Sequence, residues 1–73
     1  MNMRCEMTIG QAIKKARERK GYTAQKLAEE AGIGVSTIEF WESDRTSPNI
    51  VTLILVADVL DVTLDELAGR SRQ

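Results

Sequence analysis

The twenty residues from Ala24 to Ser43, AQKLAEEAGIGVSTIEFWES, constrain this chain more than any other segment. Ala28, Gly32 and Ile38 stand four, eight and fourteen residues after the first of them. Two short helices that cross steeply need a small side chain where their axes approach, and Ala28 supplies it. The chain must also reverse where the first of them ends, through a residue that tolerates φ > 0, which is the role of Gly32. A branched apolar side chain from the second helix, Ile38, then fills the crossing. The spacing therefore predicts a helix, a glycine turn and a second helix packed on the first.

That arrangement is the helix-turn-helix pattern, whose second helix enters the DNA major groove. The composition of the second helix argues the other way. From Val35 to Ser43 there is no Lys, Arg, Gln or Asn, and there are two glutamates, Glu39 and Glu42. The formal net charge of the chain is −1, but its distribution matters more than its sum. Residues 8–26 hold Lys14, Lys15, Arg17, Arg19, Lys20 and Lys26 against Glu18, a balance of +5. Residues 27–44 hold Glu29, Glu30, Glu39, Glu42 and Asp44 with no cation, a balance of −5.

Seventy-three residues make one domain with a core near the lower limit for folding without staples. One cysteine, Cys5, and no histidine exclude an internal disulfide and a Cys/His zinc site, so no cofactor is expected and Cys5 reads as an incidental thiol. No apolar run approaches the ~20 residues of a membrane span, and the start of the chain lacks a signal-peptide core. A soluble, cytoplasmic protein is the expectation, with no membrane contact and no small-molecule ligand.

Capping residues divide the chain into five helices. Thr8 and Gln11 form a capping box for the first, which ends near Lys20 before Gly21. Thr23 caps the second, Gly32-Ile33-Gly34 makes the turn, and the third runs from about Val35 to Ser43. Asp44 to Pro48 is a polar loop, and Asn49 caps a fourth helix ending near Leu60. Thr63 and Glu66 form a second capping box for a short fifth helix, Leu64 to Ala68. Residues 1–7 and 70–73 are expected to be flexible ends around a domain at 8–69. The expected core is Ile9, Ile13, Ala16, Leu27, Ala28, Ala31, Ile33, Ile38, Trp41, Ile50, Leu53, Ile54, Ala57, Leu60, Val62, Leu64 and Leu67. On the fourth helix this places Ile50, Leu53, Ile54, Ala57 and Leu60 inward. Val51, Leu55 and Val59 then line a second apolar face, with Val56 between the two.

From Ile9 to Leu67 the chain resembles the Cro/phage-repressor helix-turn-helix family, whose members share an all-α, five-helix, lambda-repressor-like fold. The matching pieces are IxxAIKKARERKGYT, LAEEAGI, STIEFWE, RTSPNIVTL and ADVLDVTLDEL, in the family's order and spacing. The resemblance implies a pair between Arg17, late in the first helix, and Glu42, near the end of the third. A bidentate fork there would fasten the two helices together. Three positions depart from the family's habit. Ala24 stands where Gln often reaches a phosphate, Val35 where a polar or cationic residue is common, and Phe40 where Arg is frequent.

Phosphate contacts carry most of the affinity of such proteins, and base-edge contacts specify sequence. The phosphate candidates are Gln25, Lys26, Arg45, Thr46, Ser47 and Asn49, helped by free N–H groups at the starts of the second and fourth helices. The base-edge candidates are Val35, Ser36, Thr37, Glu39 and Phe40. The hydroxyls discriminate poorly, Val35 and Phe40 suit thymine methyls, and Glu39 suits a cytosine amino group. Val51, Leu55 and Val59 are the candidate surface of a homodimer, which would set two recognition helices about 34 Å apart on a pseudo-palindromic site.

The expected function is a sequence-specific, double-stranded DNA-binding transcriptional regulator acting as such a dimer. The alternative is a protein-interaction or oligomerisation module on the same fold, an antitoxin-like accessory domain in which Val35, Phe40 and the acidic residues address a protein. An enzyme is not expected. The chain has no histidine, no phosphate-cradling glycine loop and no second lobe to form a cleft.

Overall fold

A computed structural model describes residues 8–67. The expectations for Cys5, for both chain ends and for Ala68 lie outside those residues. Every regular element among the described residues is helical. Four helices of two to three turns, α1 (Ile9–Lys20), α2 (Ala24–Ala31), α3 (Val35–Glu42) and α4 (Ile50–Leu60), are followed by a single turn, α5 (Leu64–Leu67).

Local chemistry sets these boundaries. The Thr8 hydroxyl accepts from the Gln11 N–H at 3.1 Å, and the Gln11 side chain accepts from the Thr8 N–H at 3.2 Å, so two otherwise orphaned donors at the start of α1 are satisfied reciprocally. The side chains of Thr23 and Asn49 accept from the Lys26 and Thr52 N–H groups, starting α2 and α4. Thr63 and Glu66 repeat the capping box before α5. The first four helices end alike, in a tight reversal where the chain turns left-handed. Glycine supplies the positive φ after α1 and α2, at Gly21 (81°) and Gly32 (74°). Asp44 (65°) and Asp61 (59°) supply it after α3 and α4, where a short polar side chain tolerates the conformation.

Each helix sends one side chain to the centre. Ile13, Leu27, Ile38, Val56 and Leu67, one from each of the five segments, are fully buried. Trp41, Ala28, Leu53, Ala57 and Leu60 close around them. α3 packs against α1 and α2, while α4 packs against α2, α5 and α1. α1 approaches the end of α3 closely at Gly10. A Cβ on Gly10 would collide with the Trp41 carbonyl oxygen and lie 2.7 Å from the Asp44 carboxylate. Gly10 has no positive φ, so close approach alone explains it.

The inward face of α4 differs from the expected one. Leu53, Val56, Ala57 and Leu60 are buried, at the i, i+3, i+4, i+7 spacing of one helical stripe. Ile50 and Ile54, expected inside, are 60% and 44% exposed, and Val56, placed between two faces, is fully buried. The helix is apolar almost all round, so two registers of the same spacing fit its sequence equally well. Packing against α2 and α5 selects one of them. Leu64 is also at the surface rather than in the core, and Ala12, which was not expected inside, is buried. Val59 is half-buried and packs on the core, so it departs from the outer face assigned to it beside Val51 and Leu55.

Candidate nucleic-acid interface

The two faces of α3 divide its labour. Ile38 and Trp41, three residues apart, are buried. Val35, Ser36, Thr37, Glu39 and Phe40 are all exposed, with Ser36 and Phe40 one turn apart on the side away from the core. The structure therefore leaves all five base-edge candidates exposed on α3, between the α2–α3 turn and the loop after α3.

Three devices hold that surface still. Arg17 of α1 meets Glu42 of α3 in a bidentate fork, Nε to Oε2 at 2.8 Å and Nη2 to Oε1 at 3.1 Å. Its remaining terminal nitrogen donates to the Tyr22 carbonyl at 2.9 Å. One guanidinium thus ties the end of α1, the α1–α2 turn and the end of α3. Both side chains are nearly covered, 12% and 11% exposed, so the pair acts with less solvent screening than a surface ion pair. The hydrogen bond to Glu42 raises the Arg17 pKa further above its ordinary value, against a smaller opposing effect of burial.

The second device is the end of α3. The Asp44 N–H donates to the Trp41 carbonyl at 3.0 Å and the Arg45 N–H to the Phe40 carbonyl at 2.9 Å, the two bonds of a Schellman turn. The Ser43 hydroxyl also donates to the Phe40 carbonyl, at 3.1 Å. The third is the Gly10 notch, which lets α1 lie directly against that turn.

The phosphate candidates flank this surface. Arg45, Thr46 and Ser47 are exposed in the loop after α3, and the Arg45 guanidinium lies 5.6 Å from the centre of the Phe40 ring. Gln25 and Lys26 are exposed on the first turn of α2, where helix geometry leaves the N–H groups of Ala24 and Gln25 without intrahelical acceptors. Ala24 itself is half-buried and packs on the core. Asn49 is exposed, but its side-chain oxygen already accepts from the Thr52 N–H and hydroxyl, each at 2.9 Å.

Sequence reasoning named Lys26 as a phosphate candidate but not Lys20, which lies against the same aromatic ring. Lys20 and Lys26 both lie 5.7 Å from the centre of the Tyr22 ring, and Lys26 is also 3.4 Å from Glu30. The signal was present as an aromatic residue between two lysines at a helix–helix turn. Among the described residues, no three His, Cys, Asp or Glu side chains gather in a metal-binding group, and no helix is long and apolar enough to cross a membrane.

Comparison with known proteins places this geometry. The Helix-turn-helix family profile matches residues 13–67. SinR, an HTH-type transcriptional regulator of Bacillus subtilis (strain 168), is 43% identical over 66 residues, 89% of this chain and 60% of SinR. ImmR, another HTH-type transcriptional regulator of that strain, is 33% identical over 64 residues, 88% of this chain and 50% of ImmR. The chain thus spans about half to three-fifths of the length of these relatives. The crystal structure of SinR, the master regulator for biofilm formation, in complex with DNA superposes with a TM-score of 0.78. That match has 43% identity and covers 82% of this chain and 97% of the other.

Proposed function

The chain belongs to the Helix-turn-helix family, and on that premise we propose that it is a sequence-specific, double-stranded DNA-binding transcriptional regulator acting as a dimer on a pseudo-palindromic operator. The supporting observation is the outward face of α3. Val35, Ser36, Thr37, Glu39 and Phe40 are all exposed on α3, and so are Arg45 to Ser47 in the loop after it and Gln25 and Lys26 on the first turn of α2. In this reading α2 and α3 are the two helices of the motif, and α3 lies in the major groove. The flanks grip phosphates, which fixes position and supplies most of the affinity. The middle reads bases through small hydroxyls and the apolar Val35, giving modest discrimination at each half-site.

A dimer compensates for weak half-site reading. Ile50, Val51, Ile54 and Leu55 are each 44–65% exposed and form an apolar face on α4. Its area is on the order of a few hundred Å², the size of the largest apolar patch on a typical monomer, which is often functional. A second copy related by two-fold symmetry would cover it with the same residues and present a second α3 about one DNA turn, ~34 Å, away. The face is smaller than the roughly 800 Å² per partner of a standard interface, so the operator would reinforce a weak dimer. The protein would work in the cytoplasm by occupying DNA, without catalysing a reaction.

Selection of bound duplexes from a random pool tests this reading. The expected result is an enriched site with two symmetric halves, whose affinity falls steeply with added salt as counterions are released. No enrichment at low salt contradicts DNA reading. An enriched site without symmetry, or a solution dimer that survives Leu55→Glu in sedimentation, contradicts the proposed mode of dimerisation.

A further inference from the structure

Resting on that reading, we infer that Phe40 is a positioning residue for Arg45, holding its guanidinium as a preorganised phosphate-binding group at the exit of α3, rather than itself a reader of thymine methyls. In a Schellman turn the residue two past the helix end commonly packs an apolar side chain on the residue three positions inside it. Those positions here are Arg45 and Phe40, which share the 2.9 Å bond from the Arg45 N–H to the Phe40 carbonyl. The apolar contact is replaced by a cation over an aromatic face, with the guanidinium 5.6 Å from the ring centre.

The backbone imposes this stack. Asp44 at φ 65° turns the chain back over α3, and the Phe40 carbonyl accepts from the N–H groups of Arg45 and Thr46 and from the Ser43 hydroxyl. The Phe40 ring is 43% exposed and sits on the outer side of α3, so it is a shelf at the surface and not part of the core. Among the described residues Arg45 forms no salt bridge, which leaves its planar donor fork available to a phosphate while its cation lies over the ring. A free arginine side chain loses rotamer entropy when it binds, and a stacked one has already lost part of it. This gives an apolar residue on the reading helix an electrostatic purpose: it places the cation that follows the helix.

Two measurements on the full chain test the assignment. In the free protein, NMR should show the Arg45 side-chain protons shifted upfield by the ring current. The shift should vanish in Phe40→Leu and persist in Phe40→Trp. On a selected duplex, Phe40→Leu should weaken binding about 3- to 10-fold, Phe40→Trp should restore it, and Arg45→Gln should lower the log–log salt slope by about 1. Phe40→Leu should then have almost no further effect in the Arg45→Gln background. Additive losses, or a Phe40→Leu loss confined to duplexes with thymine at one position, overturn the inference and assign Phe40 to direct reading. An absent ring-current shift also overturns it, without touching the DNA-binding reading. Failure of the wild-type chain to bind any duplex sinks that reading, independently of whether the stack is seen in the free protein. Thermal unfolding of each variant identifies any loss that comes from misfolding.

Discussion

α3 and α4 flank the same small core, yet they differ in how far each depends on its neighbours for its orientation. α3 carries two large apolar residues at one spacing, Ile38 and Trp41, and both are buried. Its other side mixes Ser36, Thr37 and Glu39 with Val35 and Phe40, and burying Ile38 and Trp41 is the rotation that keeps those polar residues in solvent. α4 offers isoleucine, leucine and valine on nearly every side. Its actual rotation, with Val56 inside and Ile54 outside, comes from the helices packed against it. Contrast between faces, more than apolar content, is what orients a helix. The helix with more contrast presents the candidate reading surface, and the helix with less leaves Ile50, Val51, Ile54 and Leu55 exposed.

Substitutions on the two helices should separate in size. Trp41→Ala removes the large side chain that fixes α3 and should destabilise the fold by about 3–5 kcal/mol in denaturant unfolding. Leu55→Ala, at the surface of α4, should cost under about 1 kcal/mol. A comparable loss at both sites would erase the distinction between the two helices.

Glu42→Ala strips the Arg17 fork of its carboxylate and leaves a nearly covered guanidinium with only the Tyr22 carbonyl. A loss of about 2–3 kcal/mol is expected, larger than for an exposed ion pair such as Lys26–Glu30, which should contribute under about 1. The Arg17 pKa is raised in the folded state. Its contribution is therefore complete below its unfolded pKa and fades only as pH rises through the folded value, in strong alkali. Titration of Arg17 should add no slope to stability between pH 6 and 9 in chemical denaturation.

Val56→Ala against Ile54→Ala reads the rotation of α4 directly. The first should cost about 2 kcal/mol and the second under about 1, although isoleucine is the larger side chain. The reverse order would restore the rotation expected from sequence. Smallest is Asp44→Gly, which relieves a non-glycine residue at positive φ and should raise stability by about 0.5–1 kcal/mol. A destabilised variant would show that the Asp44 side chain, lying beside Gly10, makes a contact worth more than the strain.

Much of the fold was legible because its signals are local. Thr8, Thr23, Asn49 and Thr63 announce helix starts through their own hydrogen bonds, and Gly21 and Gly32 announce ends through their own φ. Arg17 and Glu42 were named as partners through family resemblance. Composition alone gives no reason to join residues twenty-five apart. Three features resisted for physical reasons. The rotation of α4 is a tertiary outcome. Gly10 answers to a carbonyl on another helix, and no local conformation calls for it. The Phe40–Arg45 stack depends on a left-handed Asp44, which sequence distinguishes poorly from an ordinary loop aspartate.

The proposed DNA-binding surface is the exposed side of α3 with the loop after it and the first turn of α2. Titrating a selected duplex into the isotopically labelled protein and following its amide resonances tests this most directly. Val35 to Phe40, Arg45 to Ser47 and the first turn of α2 should shift, while Lys14, Lys15 and Glu29 stay in place. Shifts gathered on Ile54, Leu55 and Asp58, with α3 unmoved, would contradict it.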